Sequence, residues 1–241
     1  MSMKRQGGNA AVAWQRSRTR QQGLSLIELM ITMVLGLIII AAVFNMYAGS
    51  SRSARYTEGL QSMQENGRYG VSVLQRGLRL AGFSTDDDIE AFDIAASGVS
   101  AISIRSEQPY DCNGLDTTPT DGLAINVYRL DAATGELTCQ GNQGGAPMAV
   151  VEGVDGFRLL YGIDADGDSE TEEPQNYVPY DATLSSADIV AVRFALLVNS
   201  GNPIRTRAVS KDYVLLDEEV SYDDRVAREV FTSTIKVRNR Q

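Results

Sequence analysis

The stretch Gly23-Leu24-Ser25-Leu26-Ile27-Glu28-Leu29-Met30 opens an apolar run that continues to Phe44. After Glu28, only Thr32 and Gly36 relieve this run. As a helix, the 21 residues 24–44 would span about 30 Å, which is the thickness of the hydrocarbon core of a bilayer. We therefore predict one membrane-spanning helix at this point of the chain.

The charges on the two sides of this run differ. Residues 1–23 hold five of the 22 Lys and Arg residues and no acid, whereas the rest of the chain holds the other 17 and all 31 Asp and Glu residues. Basic flanks stay cytoplasmic, so we expect the chain beyond Tyr47 on the far side of the membrane. The basic residues of the first segment are Lys4, Arg5, Arg16, Arg18 and Arg20.

The composition also excludes classes of function. The net charge of −9 argues against a nucleic-acid partner, because nucleic-acid binding requires a basic surface. The chain has no histidine, which excludes Ser-His-Asp and Cys-His catalysis and most zinc sites. Nothing in the sequence indicates a small-molecule substrate.

Two simple interpretations of the apolar run are a cleaved secretory signal peptide and an ordinary membrane anchor. The residues after the run, Asn45-Met46-Tyr47-Ala48-Gly49, match a signal-peptidase site poorly, and the run is long for a signal peptide. An anchor does not explain Glu28, since a carboxylate within the membrane costs up to about 3 kcal/mol unless it finds a partner or reaches the interface. We therefore expect Glu28 to have a functional role.

The segment from Gly23 to Met30 resembles the type IV prepilin signature, in which a glycine precedes the cut and a glutamate is the fifth mature residue. The resemblance implies that a prepilin peptidase cuts after Gly23, removes 23 of the 241 residues and N-methylates Leu24. It also implies an assembly role for Glu28, which would be drawn towards the Leu24 amine of an adjacent subunit. The alternative is that Glu28 reaches the membrane interface and only sets the depth of insertion.

Three later segments extend the resemblance, and together they are similar to the PilW-type minor pilins. The family implies a subunit held in the inner membrane with its head in the periplasm, and then built into a type IV pilus. Its partners would be major and minor pilins, bound through the N-terminal helix. The segments are Met63-Gln64-Glu65-Asn66-Gly67-Arg68-Tyr69, Glu152-Gly153-Val154-Asp155-Gly156-Phe157 with Tyr161-Gly162-Ile163-Asp164, and Val237-Arg238-Asn239.

Beyond the apolar run, a stripe of residues spaced by three or four positions predicts that the helix continues. We predict a helix over residues 24–81, with Gly82 as its C-terminal cap. Its six glycines would make bending or local melting cheap, with any kink centred on Gly49. The stripe consists of Tyr56, Leu60, Met63, Gly67, Val71, Leu74, Leu78 and Ala81.

From residue 100 onward the periodicity changes to two, which predicts β-strands. We expect an α+β, pilin-like fold, in which the long helix packs on one antiparallel sheet and residues 84–100 form a surface connection. The predicted parts are a basic leader at 1–23, an apolar transmembrane and assembly half-helix at 24–49, and a head at 50–241. The predicted strands are 101–105, 124–129, 157–161, 189–198, 209–216 and 231–237.

The two cysteines, Cys112 and Cys139, close a loop of 28 residues. Beyond the inner membrane the environment is oxidising, so we predict a disulfide with a structural role. Two thiols without histidine do not make a zinc site.

The acidic stretch that starts at Asp164 follows a predicted strand and places oxygen ligands at alternate positions. Asp164, Asp166 and Asp168 are therefore candidate calcium ligands. An EF-hand would require glycine sixth and glutamate twelfth, but these positions hold Ser169 and Gln175. The alternative is a solvated acidic turn, and we predict no other cofactor.

Three classes of function remain open. The first is a minor pilin that initiates assembly or lies near the tip of a pilus that supports twitching motility, with a type II secretion pseudopilin as its near alternative. The second is a membrane-anchored periplasmic binding module. The third is an enzyme, which the sequence does not support because it lacks a nucleophile, base and orienting group in combination.

Overall fold

The computed structural model describes residues 23, 25–85, 89–164 and 173–239. It divides into two compact units between Gly49 and Ser50. One long helix and ten strands make up the described chain. They are α1 Leu26–Leu80, β1 Ala101–Glu107, β2 Leu123–Asp131, β3 Glu136–Gln140, β4 Met148–Glu152, β5 Val154–Ile163, β6 Asn176–Pro179, β7 Ile189–Asn199, β8 Val209–Leu215, β9 Glu218–Asp224 and β10 Arg228–Lys236, with 3₁₀ turns at Thr118–Thr120 and Ser186–Asp188.

The first unit consists of the apolar part of α1. Its large side chains are exposed, including Leu26 at 78%, Phe44 at 70% and Met46 at 80%. By length and composition this helix can cross a membrane, since its most apolar 18-residue window has a mean hydropathy of 2.7 and none of that window is buried. A helix that is apolar all round is stable only where lipid or other helices cover it.

The second unit, which we call the head, begins at Ser50 and includes the rest of α1. The helix buries one face against the strands, and this face follows the predicted stripe from Met63 to Leu78. Tyr56, the first member of the stripe, remains 46% exposed. The helix ends at Leu80, and Gly82 then adopts a φ of +75°, as predicted for a C-terminal cap. The buried residues of the helix are Gly59, Met63, Gly67, Gly70, Leu74 and Leu78.

The strands form two four-stranded sheets and a separate hairpin, so the expectation of one sheet was wrong. The first sheet has the order β1-β2-β3-β4, the second has the order β10-β7-β5-β6, and β8 pairs only with β9. Each pairing in the head is antiparallel, as predicted. The chain passes from the first sheet to the second at Gly153, where a φ of +69° turns it sharply between β4 and β5.

The core lies between α1 and the two sheets. Its largest fully buried side chains include Leu74 and Leu78 of α1, Ile104 of β1 and Phe194 of β7. The segment 89–100 also enters this core, because Phe92 is fully buried and pairs with Ile104. The prediction of a surface loop over 84–100 was therefore wrong for Ala91 and Phe92. These two apolar residues are buried although acidic residues surround them in the sequence.

Candidate functional site

The predicted processing region lies at the start of α1. Gly23 and Ser25 are exposed and lie outside the helix, whereas Leu24 lies outside the described residues. The helix begins at Leu26, and the amide of Leu29 donates to the carbonyl of Ser25 at 3.1 Å. Gly23 therefore lies before the first turn of the helix, and cleavage after it stays a prediction.

Glu28 lies in the first turn of α1, and its side chain is exposed. An acid at this position interacts favourably with the positive end of the helix dipole. Within the part of the chain that the structure describes, no ion pair or hydrogen bond reaches its carboxylate. Glu28 is therefore available to a group that another molecule supplies.

Three glycines, Gly59, Gly67 and Gly70, lie on the buried face of α1. A Cβ added at Gly67 would lie within 2.5 Å of three atoms of the Phe231 ring. One added at Gly70 would lie 2.9 Å from Leu196, and one at Gly59 would lie 2.7 Å from Ile204. These glycines permit close approach between the helix backbone and the strands. The sequence places Gly67 on the predicted stripe, but for Gly59 and Gly70 it predicts only points of easy bending.

The three segments that carried the family resemblance meet along this interface. Asn66 of the first segment donates through Nδ2 to the carbonyl of Glu152 in the second, at 3.2 Å. Asn239 of the third donates to the carbonyl oxygens of Arg79 and Ala81, at 3.1 and 3.4 Å. The end of the chain thus satisfies carbonyls that the last turn of α1 leaves unpaired. The segments hold the helix on the head.

The β8–β9 hairpin lies on the second sheet, where ion pairs hold it at both ends. At one end, Arg158 of β5 binds Asp217 through two hydrogen bonds of 2.8 and 2.7 Å. At the other end, Arg228 of β10 binds Asp224 at 2.9 and 2.8 Å and also pairs with Asp155. Between these pairs, Tyr213 and Leu215 pack on Ala195 and Leu197.

These contacts shift the pKa values of the groups involved. Hydrogen bonds from Arg228 hold the pKa of the Asp224 carboxyl below its ordinary value, and those from Arg158 do the same for the pKa of Asp217. Burial lowers the pKa of the Arg228 guanidinium, but its hydrogen bonds with Asp224 and Asp155 outweigh this effect and leave its pKa raised. The Asp217 and Asp224 carboxylates and the two guanidinium groups that bind them are therefore charged at neutral pH.

A pH dependence of the hairpin follows. A carboxyl whose folded-state pKa is lowered adds stability above its unfolded pKa of about 4, and this stability is lost as the pH falls through the folded value. We expect amides of β8 and β9 to exchange equally slowly at pH 7 and 5 and to lose protection as the pH falls below about 4. Exchange measured at a matched intrinsic rate checks this. Asp217→Asn with Asp224→Asn should weaken protection at pH 7, whereas Asp223→Asn, in a matched exposed position, should not.

The predicted disulfide is present between Cys112 and Cys139, with a Cα–Cα distance of 6.3 Å. Cys139 is fully buried on β3, and Cys112 lies in the loop between β1 and β2. The adjacent Asp111 supports the same loop, because its carboxylate accepts the amides of Asn113, Leu115 and Gln143 at 2.9 to 3.1 Å. The disulfide thus pins an irregular loop to the first sheet.

A groove of about 490 Å³ lies beside this disulfide, between α1 and the first sheet. Tyr69, Arg76, Asp111 and Tyr128 contribute to its lining. Burial raises the pKa of the Tyr128 hydroxyl, so this group is neutral at pH 7 and does not act as a base.

The candidate calcium ligands are only partly described. Asp164 is 8% exposed, and its amide donates to the carbonyl of Asp188 at 2.9 Å. Asp166 and Asp168 lie outside the described residues. Within the described ranges, no group of three or more Asp, Glu, Cys or His residues could hold a metal ion. Calcium binding here stays a prediction.

Binding of Ca²⁺ would stabilise the folded head by mass action, so millimolar Ca²⁺ should raise its melting temperature. Replacing Asp164, Asp166 and Asp168 together with asparagine should abolish this shift, whereas replacing Asp212 and Asp223 should preserve it. Thermal melts followed by circular dichroism, with Mg²⁺ as a control ion, provide the measurement. An unchanged melting temperature for the natural sequence would support the solvated turn instead.

Comparison with known proteins gives two family matches. Residues 125–239 match the family described as type IV pilus-assembly protein W, and residues 18–44 match the prokaryotic N-terminal methylation motif. No curated protein matches the chain. Among solved structures, the type IV-like pilin TTHA1219 from Thermus thermophilus is 15% identical with a TM-score of 0.42, and the alignment covers 75% of this chain and 96% of that one.

Proposed function

We propose that this chain, a type IV pilin-like protein with an N-terminal methylation motif and a PilW-type head, is a minor pilin that takes part in pilus assembly. The observation that carries the proposal is the methylation motif placed directly on an exposed apolar helix, which continues into the head as α1. Pilins are structural proteins, and we accordingly assign the chain a mechanical role rather than a catalytic one.

In this role the subunit is anchored in the inner membrane before assembly. Residues 1–23 remain cytoplasmic because of their five positive charges, and the head lies in the periplasm. A prepilin peptidase then cuts after Gly23 and methylates Leu24. On assembly, the exposed apolar side chains of α1 exchange lipid contacts for contacts with the helices of other pilins.

Glu28 would give this apolar interface a defined register. Cleavage creates a cationic α-amino group on Leu24, which can pair with a carboxylate that would otherwise be costly to bury. Leu24 precedes Glu28 by only four positions in the same chain, so its own amine is a poor partner for this carboxylate. The amine of an adjacent subunit therefore provides the better partner.

Processing can be tested by mass spectrometry of the protein from membranes and from sheared filaments. We expect the filament fraction to yield an N-terminal peptide that begins with methylated Leu24. The mature protein should also lose tryptophan fluorescence, because Trp14 is the only tryptophan and lies in the leader. A strain that lacks the peptidase is the control and should retain the full-length chain. Full-length protein in assembled filaments would contradict the pilin assignment.

The role of Glu28 is tested by Glu28→Ala, which should insert into the membrane and be cleaved normally but be depleted from filaments and from pull-downs with partner pilins. Glu58→Ala is the matched control, because it removes an acid from the same helix beyond the apolar run. Equal recovery of the Glu28 variant and the natural protein in both assays would show that Glu28 has no assembly role.

Deletion of the gene distinguishes a type IV pilus from a type II secretion system as the assembly that uses this subunit. Loss of surface pili and of twitching motility would assign the chain to a pilus. Loss of protein secretion with intact pili would assign it to type II secretion, and the minor-pilin proposal would then be wrong.

A further inference from the structure

Five arginines gather on the part of the head that directly follows the apolar helix in sequence. The loop after β7 packs on α1 at Gly59 through Ile204. The amides of Ile204 and Arg205 donate to the carbonyl of Arg225 at 3.1 and 3.0 Å, so this loop adjoins the turn between β9 and β10. The arginine patch, as we call this group, consists of Arg52, Arg55, Arg205, Arg207 and Arg225.

The two helical arginines point to the same region as the loop. Arg52 precedes Tyr56 by one helical turn, and Tyr56 lines a depression of about 330 Å³ together with Arg205 and Arg207. Arg55 precedes Gly59 by one turn, so it lies on the face that contacts the loop. Helical side chains lean towards the N-terminus of their helix, which directs both arginines towards the apolar run.

The patch keeps its positive charge. Within the described residues, none of its guanidinium groups has a carboxylate within 4 Å. The arginines that do form ion pairs there are Arg105, Arg158 and Arg228. The acids on the neighbouring segments are Glu58, Asp223 and Asp224. Asp224 is bound by Arg228, and Arg205 contributes a weaker, longer-range attraction to the same carboxylate.

The sequence around four of the patch arginines also lacks acids. Residues 50–57 and 200–211 contain no acid, although the whole chain carries a net charge of −9. These two segments are therefore locally basic within an acidic protein.

The location matches a membrane surface. The headgroup layer adds roughly 5–8 Å to each side of the hydrocarbon core, and a helix crosses it in a few residues. Arg52 and Arg55 follow Gly49 by three and six positions in α1. Tyr47 and Tyr56 flank this junction and are 71% and 46% exposed, and tyrosine is enriched at such interfaces.

We propose that the arginine patch binds the anionic phospholipid headgroups of the membrane in which the subunit is anchored. This inference rests on the proposed function, since it needs the apolar part of α1 to lie in a bilayer. Charge attraction to a membrane acts only within a Debye length of about 8–10 Å. Arg52 and Arg55 follow Gly49 by three and six residues, or about 5 and 9 Å along the helix, and so lie within that range. The contact would restrain the head before assembly and would have to break as the subunit enters a filament.

The experiment uses the full chain in nanodiscs that contain either phosphatidylcholine alone or phosphatidylcholine with 30% phosphatidylglycerol. Hydrogen exchange of the peptide that covers residues 204–211 is measured by mass spectrometry at low salt and at 0.5 M NaCl. We expect exchange in the anionic discs to be slower by about fivefold or more, and the high salt to remove the difference.

Two triple variants provide the matched comparison. Arg205→Gln, Arg207→Gln and Arg225→Gln should abolish the lipid dependence. Arg68→Gln, Arg79→Gln and Arg129→Gln remove the same charge from exposed positions elsewhere in the head and should retain it. Retention in the first variant would overturn the proposal.

The remaining outcomes separate the two proposals. Equal exchange in both kinds of disc would overturn the lipid contact and leave the anchored pilin intact. Failure of the chain to enter discs of either kind would overturn the anchor and the lipid contact together. Protection that rises with the number of chains per disc, and not with lipid charge, would identify an acidic protein surface as the partner and contradict the proposal.

Discussion

Gly67→Ala is expected to lower the free energy of unfolding of the head by about 2 kcal/mol. The added methyl group would lie within 2.5 Å of three atoms of the Phe231 ring, and a planar ring cannot yield as the end of a flexible chain can. The helix or β10 would have to shift, although alanine itself favours a helix by up to about 1 kcal/mol over glycine. Chemical denaturation followed by near-ultraviolet circular dichroism measures the loss.

Gly49→Ala is the matched control, because an added Cβ there has no atom within 4 Å and gains helix propensity without a clash. It should leave the stability of the head unchanged or slightly higher. Phe231→Leu in the Gly67→Ala background should restore part of the loss by removing the ring. A Gly67→Ala head as stable as the natural one would show that the observed approach of Phe231 to the helix does not matter for stability.

Gly67 shows which part of the packing can be predicted from the sequence and which part cannot. The three- and four-residue spacing of the stripe predicts the buried face of α1, because such spacing depends only on the geometry of the helix. Spacing does not reveal which side chain fills the space that a glycine leaves. The nearest partners of Gly67 and Gly70, Phe231 of β10 and Leu196 of β7, come more than 120 residues later, and only the tertiary structure identifies them.

The strands also differ in how well the sequence predicts them. The six strands predicted from alternating apolar residues are present, and they include β5 and β7, the two inner strands of the second sheet. The four that were missed are short or polar. For example, β9 reads EEVSYDD and alternates little in hydrophobicity, yet Tyr222 stacks on Arg228, with 3.7 Å between the guanidinium carbon and the ring centroid. Contacts of this kind stabilise a strand that its own sequence does not indicate.

The candidate sites depend on different kinds of information. The disulfide follows from compartment and cysteine count, and residues near Gly23 follow from a local motif. The arginine patch has no local signal, because its members lie on α1, on the loop after β7 and on the turn after β9. The packing of Ile204 on Gly59 and the hydrogen bonds of the same loop with the Arg225 carbonyl bring the three segments to one surface.

Reduction of the disulfide is expected to lower the free energy of unfolding of the head by about 3–4 kcal/mol, the largest loss that we predict. Cys112 and Cys139 are 27 positions apart, and cross-linking them restricts the unfolded chain over the whole intervening loop. The loop spans β2 and most of β3, so its closure also limits how far these strands can separate once unfolded. Denaturation with and without reductant measures the difference.

The native loop should nevertheless keep its conformation after reduction, because the Asp111 carboxylate still accepts three backbone amides. Amides near Asn113 and Leu115 should therefore remain protected in the reduced protein under native conditions. Cys112→Ala with Cys139→Ala should reproduce the loss of stability without reductant, and reductant should not affect that variant further. Equal stability of the oxidised and reduced proteins would mean that the loop is already constrained in the unfolded chain, and the loop-closure argument would then fail for this head.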